Sequence, residues 1–509
     1  MSDLGATIAP KHRAQGRTTH LSWKQTPTVV LSFVAVVVAS AALIDLGIRS
    51  AVLLDFGWDA FMYHIPFAAL RGGLHVTYDM NDTMRPFFEG FPPLPETVQG
   101  LLWRLTGSVN ATGVVNFIAF AVFLIYCHGE LHAPFWVVAL IALTAPMVLI
   151  HTTVSYVDLF SNAWLAIGAA SCIYLYLFPA NSKRAVLIGA AAGLAAAAWS
   201  KYQLVPIAAL IFVLLAIVSL KPAIATRFGR RQVVVVLLSF AALASVPYAK
   251  NLALYGNPFW PVKVPIVGGL FPYRIDAVAQ DATERPPSLV GAPQAEVFAD
   301  SLFEIHQPTH YTYRARWIID QATAAEGFRM GGFWGTGTAI YLVTMVAMLI
   351  FYARRRGIVV SIAAAGVVVF TAFLPQSHEL RYFMYLPLTW AATIAILYPH
   401  VRKKAPWVGF GFLLLVLGLF GYMVSQTWTD YQIERVDYQD AADAWGASKW
   451  WPLFTPGQTY CVVGMIPIGV LMTGPTMSEY TIVDRSSVSL CPPATILVTN
   501  DGIQGPLPA

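Results

Sequence analysis

The chain has 509 residues, 57% of them hydrophobic and only 12% charged, with a mean hydropathy of +0.60. Such a composition excludes a water-soluble globular enzyme. The net charge of +5 does not mark a nucleic-acid binder, because the basic residues stand in short clusters between apolar runs, which is how membrane topology is written.

Runs long enough to cross ~30 Å of hydrocarbon, about 17 to 25 residues each, recur along most of the chain. They must cross as helices: lipid offers no partner to an open backbone group, and no alternating barrel pattern is present. The expected fold is therefore an all-α polytopic membrane protein of about eleven transmembrane helices with a small α/β domain at its C-terminal end. The first run, 29–48, is too long for a signal-peptide core and lacks a cleavage site, so it is read as span one. The basic tail before it (Lys11, Arg13, Arg17, Lys24) is expected in the cytoplasm, which puts residues 50–110 outside.

Spans two and three are expected at 112–127 and 134–150, span four at 159–177, and span five at 185–199, a Gly/Ala-rich run suited to close helix packing. Span six ends at the basic loop of Lys221, Arg227, Arg230 and Arg231; span seven, 233–248, leads into a second outer segment, 250–334. Arg354, Arg355 and Arg356, then Arg402, Lys403 and Lys404, mark two inner turns around spans eight to ten, and the last span covers 407–424. This gives a membrane domain over 1–425 and a periplasmic domain over 426–509. Residues 460–466, 480–484 and 494–500 read as its strands, and Cys461 and Cys491 share an oxidising compartment where a disulfide can close a ~30-residue loop.

The chemistry-bearing residues lie at the expected outer ends. Asp55, Asp59, Tyr63 and His64 follow span one, and a helix there would place Asp55, Asp59 and Tyr63 on one face. Arg85, Glu89 and the Pro92-Pro93-Leu94 box come next, then Tyr156-Val157-Asp158, Lys201-Tyr202, Gly256-Asn257-Pro258 and Glu379-Leu380-Arg381-Tyr382. In this order and on one side of the membrane, these motifs resemble the GT-C superfamily of membrane glycosyltransferases. The likeness is to the polyprenyl-phosphate-sugar-dependent branch that includes protein O-mannosyltransferases and the aminoarabinose transferases of lipid A.

That resemblance implies transfer of a sugar from a polyprenyl-phosphate donor to a periplasmic glycan, lipid or protein acceptor, in the bacterial inner membrane. Asp59 would be the general base, with Asp55 in reserve. Arg381, Lys201 and Arg85 would hold the donor phosphate, while Tyr63, His64, Glu89, Asp158 and Tyr382 would contact substrate. One base and one stabilised leaving group imply a single inverting displacement. Ala60 and Met62 depart from the family's usual Glu and Arg, and Gly90-Phe91 stand where a Lys often precedes the Pro-Pro-Leu box.

No cofactor is required, since Arg and Lys can assist phosphate departure; Asp79-Met80-Asn81-Asp82 supplies oxygen ligands that would suit a divalent ion. A transporter or lipid flippase is the main rival, but transporters place their ionisable residues near mid-membrane. An O-antigen polymerase or ligase would use the later outer segment with Arg314 and Arg316.

Overall fold

The computed structural model describes residues 26–499 and 502–507 except 56, 75–76, 182, 265–268, 278, 280–284, 306–316, 320–328, 428–434, 437–442, 444–452, 465–467 and 473–478. The N-terminal basic tail and the Arg314/Arg316 pair lie outside the described residues.

The chain begins with α1 (Thr26–Val52), then β1 (Leu54–Asp55), a π-helical turn (Ala60–His64) and α2 (Ile65–Arg71). The rest of the segment expected outside, up to residue 110, forms β2 (Thr77–Asp79), α3 (Arg85–Gly90) and α4 (Leu94–Thr106). The bundle continues with α5 (Ala111–Gly129), α6 (Phe135–Ala142), α7 (Pro146–His151), α8 (Asp158–Leu177), α9 (Arg184–Ala198), α10 (Val205–Ser219), α11 (Pro222–Phe228) and α12 (Arg230–Tyr255). After α13 (Gln294–Phe303) in the second outer segment come α14 (Gly335–Ala372), a 3-10 turn (Leu380–Phe383), α15 (Tyr385–Lys404) and α16 (Pro406–Thr427).

Among the described residues, eight helices are long and apolar enough to cross a membrane, against about eleven expected. The difference has a local cause in each case. The third expected span is broken into α6 and α7, where Pro146 cannot continue the hydrogen-bond ladder. The fifth is α9, apolar but only 15 residues long. The eighth and ninth are the two arms of α14, which turns at Arg354 (φ 44°, ψ −116°), inside the arginine cluster that marked an inner turn.

Burial ranks these helices. The segment ending in α15 is 94% buried and α8 83%, whereas α12 is 17% and α1 22% buried. The peripheral helices present Phe33, Leu238, Val343 and Ile362 outward, as an apolar surface in contact with lipid should. The small residues of α9 let it lie directly on α8: a Cβ on Gly193 would come within 2.6 Å of the Trp164 carbonyl oxygen.

The C-terminal region contains β3 (Arg435–Val436), β4 (Thr459–Val463), a one-turn helix α17 (Ile468–Leu471), β5 (Thr481–Arg485), β6 (Ile496–Thr499) and β7 (Gly502–Pro506). The three expected strands are β4, β5 and β6, and Cys461 and Cys491 are disulfide-bonded. The sheet order is β2-β5-β4-β6-β7, parallel except for the last pair. Its edge strand β2 comes from the first outer segment, and this recruitment was not foreseen.

Polar contacts fix the joint. Asp79 pairs with Arg485 at 2.5 Å and with Arg85 at 2.7 Å, while Asp484 accepts from Tyr78 Oη at 3.2 Å and Asn81 Nδ2 at 2.5 Å. Asp79 and Asn81, the oxygen ligands considered for a cation, are thus engaged in docking. Burial pushes the Asp484 carboxyl up to about 6, against the opposing bonds from Tyr78 and Asn81. A carboxyl raised in the folded state favours its protonated form there, so its stabilising contribution is full below the unfolded pKa and is lost as pH rises through about 6. Thermal melts of the detergent-solubilised protein should therefore fall between about pH 4 and 6, and Asp484→Asn should flatten that dependence.

Candidate active site at one end of the helix bundle

The site is assembled from four places far apart in the chain. The π turn brings Asp59, Tyr63 and His64; the N-terminus of α8 brings Asp158; the end of α9 leads to Lys201; the 3-10 turn before α15 brings Arg381 and Tyr382. In the π turn the Ile65 N–H reaches the Ala60 carbonyl, a five-residue step that widens the helix by one residue where Asp59 enters it. Such insertions re-aim side chains and concentrate at functional sites.

Asp59 is buried and its Oδ2 accepts from Arg381 Nη1 at 3.1 Å. Its backbone N–H donates to Tyr156 Oη at 3.1 Å. The Tyr156 ring can come so close only because residue 57 is glycine: a Cβ there would sit 2.5 Å from the ring. Arg381 is 1% exposed, donates from Nη2 to Tyr382 Oη at 2.8 Å, and approaches Glu379 Oε2 from Nε at 3.5 Å. Glu379 in turn lies 3.7 Å from Arg329 Nη1. Lys201 Nζ donates to Asp158 and stands 4.0 Å above the Tyr382 ring, so the Lys201–Asp158 pair and the Arg381–Asp59 pair share Tyr382.

Burial by itself would raise the Asp59 carboxyl; the guanidinium of Arg381, then Arg329 and His64, outweigh it and hold the group below the usual carboxylate range. Asp59 is therefore an ionised acceptor at neutral pH. The Tyr63 phenol is driven the other way, well above its ordinary value, by burial and by the Asp59 charge, so it acts as a hydrogen-bond donor.

The structure brings Asp59, Arg381, Lys201, Asp158, Tyr63, His64 and Tyr382 together. It does not bring in Arg85, which is half exposed and bonded to Asp79 and the Met80 carbonyl. Glu89 accepts from Tyr255 Oη at 3.3 Å, at the junction with α12. Asp55 is described only as backbone, in β1 opposite Arg435. Three charged residues had no assigned role in the sequence reading. Glu379 stands in the Arg-Tyr motif itself, Arg329 lies in the long outer segment, and Glu96 looks like an ordinary acidic residue in a helix's first turn.

No protein-family model and no curated protein matches the chain. Two solved structures are similar: the crystal structure of ArnT from Cupriavidus metallidurans in the apo state, and the same protein bound to undecaprenyl phosphate. The first is 15% identical with a TM-score of 0.36, covering 92% of this chain and 87% of that one. The second is 14% identical with a TM-score of 0.38, covering 91% and 86%. Neither superposition fixes a residue correspondence.

Proposed function

We propose that the protein is a GT-C glycosyltransferase that moves a sugar from a polyprenyl-phosphate carrier to a periplasmic acceptor, with inversion at the anomeric carbon. The observation that carries this reading is the buried contact of Asp59 with Arg381 at one end of the helix bundle, with Lys201 beside them. A carboxylate kept ionised can take a proton from an attacking hydroxyl, and a guanidinium next to it can hold the phosphate that leaves.

The two roles are coupled. While Asp59 is ionised it shares the charge of Arg381; once it has taken the acceptor's proton it is neutral, and more of the guanidinium's field falls on the departing phosphate. The acceptor oxygen bonds to the anomeric carbon as the bond to the phosphate oxygen breaks, leaving polyprenyl phosphate and a proton on Asp59. Lys201 and Tyr382 complete the phosphate side, and Asp158 keeps Lys201 in place. The donor's tail needs no soluble binding motif, since the bilayer surrounding the apolar helices already holds it. Glu89, Arg85 and Asp55 remain candidates for acceptor or donor contacts only if the outer loops close over substrate.

Donor phosphate adds negative charge beside Asp59 and should raise its carboxyl in the complex. The acid limb of kcat, which reports the loaded enzyme, should then lie above that of kcat/KM, which reports the free one, by about one pH unit. Coincident limbs would place the phosphate away from Asp59. The biological test compares envelope glycans and lipids of cells with and without the protein: a sugar missing from one acceptor supports the reading, and unchanged envelopes with an altered distribution of lipid-linked precursors favour a transporter.

A further inference from the structure

His64 and Glu96 form a second buried pair beside the site: Nδ1 and Oε1 are 3.2 Å apart, and each residue is 4% exposed. A buried carboxylate and imidazole are costly to keep unless the arrangement holds them, and here three elements do so. The π turn places His64 five residues after Asp59, on a helix widened by that same step. Glu96 enters from the first turn of α4, and α4 is pressed against α2 where Gly72 meets Gly100; a Cβ on Gly100 would lie 2.0 Å from the Ala68 carbonyl oxygen. The His64 ring lies between Tyr63, 4.3 Å away and tilted by 47°, and Tyr156, 5.8 Å away and tilted by 45°, and Tyr156 is the residue that bonds the Asp59 backbone. Glu96 Oε2, also buried, has no hydrogen-bond partner among the described residues.

We propose that Glu96 and His64 act as a positioning pair for Asp59: Glu96 fixes the imidazole, and the imidazole packs on Tyr156, whose hydroxyl holds the Asp59 backbone, so that the pair sets how the carboxylate is presented to the acceptor. The proposal rests on Asp59 being the base. His64 is among the groups that hold the Asp59 carboxyl down, after Arg381 and Arg329. The Glu96 carboxyl is itself held below its usual range, because the bond from His64 and the charge of Arg71 outweigh its burial. Asp59 is also faced by Arg381 from the 3-10 turn, by Arg329 from the segment before α14 and by Asp158 from α8, and its charge reaches Lys201 after α9 and the phenols of Tyr63 and Tyr382. Helix α17, packed on the far side of the π turn, contributes none.

The test is kcat and the donor KM, measured on the full-length protein in liposomes with melting temperatures recorded for every variant. Removing the anionic partner in Glu96→Gln, which keeps the side chain's shape, should lower kcat about tenfold with the donor KM changed by less than about threefold. His64→Gln should lower it equally, the double variant no further, and Glu96→Asp should stay near the parent. Parental kcat in Glu96→Gln and His64→Gln, or losses that track the melting temperature, would reduce the pair to a packing contact and overturn the proposal. Additive losses in the double variant would also overturn it, since the two residues would then not act through one another. Asp59→Asn in the same assay separates the layers: if that variant keeps its rate, the base assignment itself fails, whereas an inactive Asp59→Asn beside pair variants of parental rate rejects only the pair.

Discussion

Asp59→Asn should abolish sugar transfer, by a factor of about 10² to 10⁴, while leaving a folded protein that still takes up donor lipid. The expectation is strict because the substitution keeps the side chain's shape and leaves an amide oxygen to accept from Arg381 Nη1, so the contact at 3.1 Å has a neutral replacement. What the amide cannot do is accept the acceptor's proton. Initial rates with a lipid-linked sugar, alongside melting curves, separate lost chemistry from lost structure. An Asn variant that retains a tenth or more of the parental rate would move the base to another carboxylate, with Asp55 next to be tested.

The second large effect is expected at Arg381. Replacing it by Ala leaves Asp59 and Glu379 buried without the cation they share, and breaking a buried pair in this way costs roughly 3 to 5 kcal/mol, so Arg381→Ala should be poorly folded. Arg381→Lys is the informative variant. A lysine preserves the charge but not the planar fork that reaches Asp59, Glu379 and Tyr382 at once. Its kcat/KM for the donor should fall by about 10² to 10³, with the acceptor KM changed by less than about threefold. Equal losses on both substrates would take the phosphate away from Arg381.

Much of this site was legible because motif order and topology are one-dimensional signals. Placing the basic clusters on one side put Asp59, Asp158, Lys201 and Arg381 on the other, and the folded chain brings all four together. Partnership was less legible. Lys201 was available as a free phosphate ligand in the sequence, but it is paired with Asp158, and Glu379 shares Arg381 with Asp59. Glu96 carried no signal at all, since an acidic residue in a helix's first turn normally faces water; only the close crossing of α2 and α4 carries it inward to His64.

The fold shows the same division. Hydrophobic runs located the spans, and the arginine cluster at 354–356 marked the turn within α14. The break between α6 and α7 follows from Pro146, a local cue outweighed in the sequence reading by the apolar run around it. Strand β2 is three residues long and pairs with β5 some 400 positions later; no local periodicity encodes a partner at that distance.

The central claim is that this site breaks a glycosidic bond to phosphate rather than moving an intact lipid. It is tested most directly by placing the purified protein in liposomes with a polyprenyl-phosphate sugar labelled on the sugar, together with envelope acceptor. Release of free polyprenyl phosphate in step with labelling of the acceptor, both lost in Asp59→Asn, is the predicted result. Movement of the donor across the bilayer with its glycosidic bond intact, unaffected by that substitution, would contradict the account.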